Sequence, residues 1–305
     1  MKVVITGGTG LIGSALARDL VPDGHEVVVL TRDASQRTPD LPEVVRLVEW
    51  DAETGEGWSD ELEGADAIVN LAGATIGPEG GLWTASRKRA IMQSRVQSTN
   101  AVVDGVRRVE QKPRVLIQGS GVNYYGTHGD EIITESAPPG DDFLANVVKA
   151  WEGASEPVEE MGVRRVMIRS APVLSDKGGT LPFFTLPHKL FVGGTLGSGE
   201  QYWSWIHIDD EIGAIRFLLE NEGLEGPFNL AAPNPLPQKK FADVIGKVLG
   251  RPSYFPTPAF LLRLVLGEMS MLVVEGQRVI PQRLQEAGYE FRFPNLEGAL
   301  RDLLD

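Results

Sequence analysis

The sequence contains no cysteine. This absence excludes disulfide bonds, thiol catalysis and cysteine-based metal sites. Histidine is scarce as well, because only four residues are scattered through the 305, and their spacing matches no metal site. We therefore expect no metal centre. The four histidines are His25, His128, His188 and His207.

Positive charge is also in short supply. The chain has 29 lysines and arginines against 42 aspartates and glutamates, which gives a net charge of −13. Such an acidic protein is a poor partner for nucleic acid or for an anionic membrane. No apolar run reaches the ~20 residues of a membrane-spanning helix. Because the first predicted strand begins at Lys2, no targeting peptide is expected, and the sequence predicts a cytoplasmic protein.

What the sequence does have is a glycine-rich turn at its start. An apolar, β-branched strand from Lys2 to Thr6 leads into Gly7, Gly10 and Gly13, and a helical pattern follows. In this order, the first glycine makes a tight turn, the second lets backbone N–H groups approach a pyrophosphate, and the third lets the helix pack closely. The start of the helix then faces the anion. The pattern predicts dinucleotide binding.

A second apolar strand ends about twenty residues after the last glycine, where the residue that reads the ribose belongs. Thr31, Arg32 and Asp33 stand there. Arg32 can pair with a 2′-phosphate through a bidentate contact, which favours NADP(H) over NAD(H). The alternative is a solvated arginine at the end of a strand.

Two further strand ends are predicted to lie beside the cofactor. The third strand ends at Asp51, whose carboxylate can accept from the adenine amino group or can simply form a turn. The fourth ends in small residues at Leu71, Ala72 and Gly73. A long helix over residues 82–109 then carries a basic cluster that includes Arg95, which is either a phosphate partner or a solvated face.

Strands and helices alternate from residue 1 to residue 170, which predicts an α/β fold with a doubly wound parallel Rossmann sheet. The expected NADP-binding domain is 1–170, with 206–232 returning to it. Residues 171–205 and 233–305 are expected to form a smaller, interleaved C-terminal α/β lobe. The glycine- and tryptophan-rich loops of this region are typical of a substrate pocket over a rigid sheet. We expect the helix after Ile206 to be capped by Asp209 or Asp210.

Several strings resemble the extended short-chain dehydrogenase/reductases, a group of sugar-nucleotide epimerases, dehydratases and reductases. They include residues 6–13, 70–73 and 124–126 and the Arg169 strand end. More narrowly, residues 193–199, 205–210 and 275–281 resemble a branch of NAD(P)-dependent epimerase-like proteins of unknown substrate. The resemblance implies NADP as the cofactor, read by Arg32, with Leu71, Ala72 and Arg95 lining it. The full set predicted to bind the cofactor is Gly7, Thr9, Gly10, Leu11, Ile12, Gly13, Thr31, Arg32, Asp51, Leu71, Ala72, Gly73 and Arg95.

The chain departs from the family in its catalytic helix. The family uses a serine, a tyrosine and a lysine four residues after the tyrosine. Ser120 occupies the serine's position, but the helix offers either Ala145 with Lys149 or, in a second register, Leu144 with Val148. Neither register supplies a phenol. Tyr124 or Tyr125 from the preceding loop is then the remaining candidate acid/base, together with Ser120.

The sequence thus predicts an NADP(H)-dependent oxidoreductase or epimerase that acts on a hydroxyl or carbonyl of a small polar substrate, with sugar nucleotides as one such class. The alternative is a non-catalytic NADP(H)-binding sensor or regulatory protein, which the broken catalytic helix favours. Substrate and oligomeric state are not predicted.

Overall fold

A computed structural model describes residues 1–35 and 40–304 of the chain. Most of the strands are short and apolar, as expected of strands buried on both faces. The strands are β1 Lys2–Thr6, β2 Glu26–Thr31, β3 Arg46–Glu49, β4 Ala67–Asn70, β5 Val115–Gly121, β6 Ile132–Ile133, β7 Arg164–Ser170, β8 Val173–Ser175, β9 Gly178–Gly179, β10 Tyr202–Trp203, β11 Ile206–His207, β12 Gly226–Leu230, β13 Leu236–Pro237 and β14 Arg278–Val279.

The helices alternate with the strands of the first half and dominate the second. They are α1 Leu11–Leu20, α2 Ala85–Arg108, α3 Phe143–Ala154, α4 Pro157–Glu160, α5 Leu181–Lys189, α6 Ile208–Glu220, α7 Gln238–Leu249, α8 Ala259–Leu266, α9 Met271–Val274, α10 Gln282–Glu286 and α11 Leu296–Leu304.

The main sheet is parallel throughout, and within the described residues its strand order is β12-β7-β5-β4-β1-β2-β3. The chain reverses its winding direction between β1 and β4, and in such sheets a ligand binds at that switch point, outside the carboxyl ends of the strands. The predicted fold class, a doubly wound α/β sheet, is confirmed.

Side chains alternate between the two faces of the sheet. Val3 and Ile5 of β1 pack with the core under α1 and α6, whereas Val4 between them packs with the core under α2. The same alternation in β5 and β7 places Ser120 and Arg169, which pair in register, on the α2 and α3 face. Ser170, one residue on, therefore lies on the α6 face.

Outside the sheet, α5, α7 and α11 pack around Trp203, Trp205 and Phe241. Helix α7 ends at Gly250, whose φ of +61° is the left-handed conformation of a helix C-terminus. Strand β12 pairs with β7, so residues 226–230 belong to the main sheet. No helix in the described part of the chain is both long and apolar enough to cross a membrane.

Two helices differ in detail from the sequence prediction. The helix predicted over residues 82–109 is α2, which begins at Ala85 after its cap Thr84 and ends at Arg108. The predicted cap of α6 was wrong. Helix α6 begins at Ile208, and its cap is His207, whose Nδ1 accepts from the Asp209 N–H at 3.0 Å. An imidazole nitrogen does here what a carboxylate usually does.

Candidate cofactor and active site

The glycine turn joins β1 to α1 at the switch point. Gly7 has a φ of +66°, which favours glycine, and its carbonyl accepts from the Gly10 N–H at 3.0 Å. Gly10 is the N-cap of α1, and no side chain caps the helix. The first backbone N–H groups of α1, near Leu11 and Ile12, therefore have no intrahelical partner and point outward from the N-terminal end of the helix.

The three glycines have different neighbours. A Cβ on Gly13 would lie 2.5 Å from the Gly7 carbonyl oxygen, and one on Gly7 would lie 2.8 Å from the Leu71 carbonyl carbon. A Cβ on Gly10 would meet only the Gly7 oxygen, at 3.3 Å. Gly7 and Gly13 are therefore required by packing, whereas Gly10 leaves open space beside a helix N-terminus. This cradle fits a dinucleotide pyrophosphate.

A buried hydrogen-bond network fixes the end of β4 beside this turn. The Thr6 hydroxyl donates to Asn70 Oδ1 at 2.6 Å and accepts from the Leu71 and Ala72 N–H groups. Beyond them, Gly73 packs against the Arg95 side chain, where a Cβ would come within 3.1 Å of the guanidinium carbon. These predicted cofactor residues therefore form one rigid edge.

The residues predicted to read the ribose and adenine lie at the next two strand ends. Arg32 is exposed directly after β2, and the Thr31 hydroxyl lies 3.4 Å from the Asp33 carbonyl oxygen. Asp51 follows β3, and its carboxylate accepts from the N–H groups of Glu53 and Thr54 at 2.8 Å, which lowers the Asp51 pKa. Of the two roles considered for Asp51, adenine recognition and turn formation, these contacts support turn formation.

The basic cluster of α2 consists of Arg87, Lys88, Arg89 and Arg95. Of these four described residues, Arg95 alone lines the cavity over the carboxyl edge of the sheet. Its side chain is buried, Nη1 donates to the Ala74 and Ile91 carbonyls at 2.9 and 3.1 Å, and the guanidinium lies 4.9 Å from the Trp151 ring. Burial lowers its pKa to about 10. Lys88, in the same helix, instead pairs with Glu268 at 2.6 Å.

A cavity of about 410 Å³ opens over the carboxyl edge of the sheet. Ile12 and Leu71 line it on the side of the glycine turn, and Ser120 and Ser170 line its floor. Helix α3 forms one wall, and the C-terminal lobe covers the rest. The lining residues of the lobe are Thr180, Phe183, Phe184, Leu266, Met269, Leu272 and Val273.

Ser120 is held by a buried ion pair. Its hydroxyl donates to Glu152 Oε1 at 2.5 Å, and Glu152 receives a bidentate pair from Arg169, with Nε and Nη2 at 2.8 and 2.9 Å. Burial disfavours the Arg169 charge, but the Glu152 carboxylate outweighs it and raises the Arg169 pKa. The hydrogen of Ser120 is thus committed to Glu152, and its lone pairs remain for a ligand.

The tyrosines do not fit the acid/base role predicted for them. Tyr125 is fully buried, and its hydroxyl donates to Asn229 Oδ1 at 2.6 Å and accepts from Arg169 at 3.0 Å. Burial raises its pKa to about 12. The ring of Tyr124 lies 3.5 Å from the Arg169 guanidinium, and Tyr124 is absent from the residues that line the cavity. Partners 44 and 104 residues away in the sequence hold the Tyr125 hydroxyl in the core.

Helix α3 resolves the register that the sequence left open. Leu144 and Val148 line the cavity, whereas Lys149 turns away and donates to the Gly140 carbonyl at 3.0 Å. The positions of the family's tyrosine and lysine are therefore apolar here. Glu152, one turn further along the same helix, contacts the cavity floor through the hydrogen bond that it accepts from Ser120.

A second carboxyl group, missed in the sequence, lies on the opposite face of the sheet. Glu211 is fully buried, and burial raises its pKa to about 8. It accepts from the Ser170 hydroxyl at 2.5 Å, and its Oε2 has no hydrogen-bond partner among the described residues. No sequence signal marked Glu211, because an acid in the first turn of a helix is ordinarily exposed.

His207 and the two tryptophans Trp203 and Trp205 have structural roles. His207 caps α6 and stacks on Phe293 at 3.9 Å, and burial lowers its pKa. Trp203 and Trp205 are core residues. No group of three or more histidine, aspartate or glutamate side chains able to hold a metal occurs among residues 1–35 and 40–304.

Comparison with known proteins identifies the family. Residues 3–147 match the model of the NAD dependent epimerase/dehydratase family, and residues 257–303 match a domain of unknown function, DUF1731. The epimerase family protein YfhF of Bacillus subtilis is 39% identical over 305 residues, which cover 100% of this chain and 98% of that protein. The chain belongs to this family. The resemblance to extended short-chain dehydrogenase/reductases is confirmed.

Relatives and solved structures of the family extend beyond bacteria. The chloroplastic epimerase family protein SDR39U1 homolog of Arabidopsis thaliana is 38% identical, over 100% of this chain and 87% of that protein. The structure of human SDR39U1 with NADPH has a TM-score of 0.88 and 33% identity, and covers 99% of both chains. UDP-glucose 4-epimerase of Thermotoga maritima, with a TM-score of 0.80 and 17% identity over 99% of this chain and 97% of that one, shares the fold.

Proposed function

We propose that this protein is an NADP(H)-dependent oxidoreductase that acts on a hydroxyl or carbonyl group. One observation carries the proposal: a single cavity is lined by Ile12, in the first turn of the helix that follows the glycine turn, and by Ser120, which donates to the Glu152–Arg169 ion pair. The human relative whose structure contains NADPH is similar over the full length of this chain. NADP(H), when bound, supplies or accepts a hydride at its nicotinamide ring.

Ser120 and Glu152 are the groups we assign to proton transfer. Because Ser120 donates to Glu152, its oxygen can accept a hydrogen bond from a substrate hydroxyl. In the oxidation direction, Ser120 would accept the proton of the substrate hydroxyl while its own proton passes to Glu152, and bound NADP⁺ would be the acceptor of the hydride. In reduction the same steps run in reverse. Arg169 keeps Glu152 oriented throughout.

The cofactor half of the proposal is tested by titration with NADPH and NADH. Arg32 stands exposed at the β2 end, where a 2′-phosphate would lie in this fold. We expect NADPH to bind at least about tenfold more tightly, or about 1.4 kcal/mol. Arg32→Ala should remove this preference and leave NADH affinity unchanged. Equal affinities in the wild-type protein would contradict the assignment.

The catalytic half is tested by screening hydroxyl and carbonyl compounds for oxidation or reduction of the cofactor. For a compound that turns over, Ser120→Ala should lower kcat by about 10²-fold or more, the scale of lost acid/base help. Lys149→Ala is the control, because its amine is bound to Gly140 away from the cavity. Unchanged kcat in Ser120→Ala would rule out the proton-transfer assignment.

The second candidate is an NADP(H)-binding sensor without turnover. Leu144 and Val148 favour it, because they place aliphatic side chains where the family's tyrosine and lysine would lie. Tight NADPH binding with no turnover across the screen would support this candidate.

A further inference from the structure

We infer that the substrate end of this cavity takes a predominantly apolar molecule with a single reacting oxygen, and not a sugar nucleotide. The inference rests on the proposed function, since it concerns the substrate of the same site. It is carried by the chemistry of the cavity wall on the side away from the glycine turn.

This wall comes from elements outside the main sheet. Helix α5 contributes Phe183 and Phe184, and the segment after α8 contributes Met269 and Leu272. Leu144 of α3 continues the same apolar surface. Each of these side chains offers only carbon or thioether sulfur to a ligand. The wall therefore favours a ligand that buries apolar surface against it.

The cavity lacks the charge that a nucleoside diphosphate needs. Among the described residues that line it, Arg95 is the single ionisable one. Its Nη1 donates to the Ala74 and Ile91 carbonyls, and its Nε has no partner among the described residues, so the cavity offers a ligand one arginine and no further cation. A second pyrophosphate, beside that of the cofactor, would lose much of its hydration against a single arginine, which is unfavourable.

The hydroxyl groups that line the cavity already donate their hydrogens to protein acceptors. Ser120 donates to Glu152, Ser170 donates to Glu211, and Thr180 donates to the Val173 carbonyl at 3.2 Å. Both serines lie at the sheet edge, where the reacting oxygen would be held. A sugar ring with several hydroxyls would leave most of them unpaired against the apolar wall. A single hydroxyl can donate to a serine oxygen at the floor, and a ketone has only one acceptor to leave unpaired.

The experiment measures binding of two probes to the NADPH-saturated protein by calorimetry. The first probe is 2-decalone, a bicyclic aliphatic ketone, and the second is UDP-glucose. We expect saturable binding of 2-decalone, with UDP-glucose at least about 100-fold weaker. Binding of NADPH itself is measured in the same series, so that loss of the cofactor interaction, which would contradict the proposed function, is seen separately.

A pair of matched variants tests whether 2-decalone binds against the apolar wall of the cavity. Phe183→Gln puts an amide into the wall and should weaken 2-decalone about five- to tenfold, because apolar contact is lost. Phe260→Gln makes the same change on α8 at a side chain that is 67% exposed and outside the cavity, and it should have no effect. Phe183 is itself 44% exposed, so its replacement should not unfold the protein.

The inference would be overturned by UDP-glucose binding as tightly as 2-decalone, by no binding of 2-decalone, or by equal effects of the two variants. In each of these cases the NADPH titration still decides the proposed function independently.

Discussion

At the scale of the residue, Gly10 and Gly13 have opposite reasons to be glycine. A side chain at Gly10 meets little protein, and its φ of −85° is ordinary for any residue. We predict that Gly10→Val folds with wild-type stability but binds NADPH about 100-fold or more weakly, because the methyl groups occupy the space of the pyrophosphate. Fluorescence titration and chemical denaturation measure the two quantities.

Gly13→Ala is the matched control. Its Cβ would lie 2.5 Å from a backbone oxygen, so it should lower the free energy of unfolding by about 1–3 kcal/mol. If Gly10→Val retained NADPH affinity, the turn would be no more than a tight connection between β1 and α1.

Tyr125 gives a second prediction at this scale. Tyr125→Phe removes the donor to Asn229 and an acceptor of Arg169, and both partners stay buried. We expect the free energy of unfolding to fall by about 1–3 kcal/mol, the cost of an unsatisfied buried polar group. NADPH affinity should not change, since the hydroxyl lies outside the cavity.

Tyr124→Phe is its control, because the ring of Tyr124 contacts the Arg169 guanidinium and phenylalanine keeps this ring. Denaturant unfolding should show little change. A loss of NADPH binding in Tyr125→Phe, with stability intact, would instead return this tyrosine to the site.

At the scale of the element, α3 shows where prediction from sequence stops. The local sequence pattern was enough to predict the helix itself. It was also enough to predict the glycine turn, because all the residues that form the turn lie within the first thirteen. The cavity-facing side of α3 could not be predicted, because Lys149 and Val148 are adjacent and only packing against β5 and the lobe selects between them. Glu152 acquires its role from Ser120 and Arg169, which are 32 and 17 residues away.

Helix α6 carries a prediction about pH. Glutamate ordinarily titrates near 4.5, but burial raises the pKa of Glu211 to about 8 in the folded protein, although the hydrogen bond from Ser170 lowers it. Between these values the folded state holds a proton that the unfolded state has released. The stability from the neutral group is therefore complete below pH 4.5 and is lost as the pH rises through about 8.

Glu211→Gln should remove this loss, and we expect it to be more stable than the wild-type protein by about 1 kcal/mol or more at pH 8. Denaturation at pH 5 and pH 8 provides the comparison. Glu220→Gln, at the exposed end of the same helix, should give similar differences at both pH values. A pH-independent effect of Glu211→Gln would mean that the carboxyl is ionised in the folded state.

At the scale of the whole molecule, the parallel sheet followed from the alternation of strands and helices, but the cavity did not. It is assembled from the start of the chain and from residues more than 250 positions later, at Ile12 and at Leu266 to Val273. No local pattern connects these segments. Their proximity results from the packing of the C-terminal lobe over the carboxyl edge of the sheet.

This arrangement predicts a coupled response to the cofactor. NADPH should slow amide hydrogen exchange at residues 7–16, where we place the pyrophosphate, and also at residues 266–274, because residues of both segments line one cavity. Helix α7 is the internal control, since none of its residues lines this cavity, and its exchange should not change. Hydrogen-exchange mass spectrometry with and without saturating NADPH makes the measurement. Protection confined to residues 7–16 would show that residues 266–274 do not respond to the cofactor, and it would contradict the coupled response.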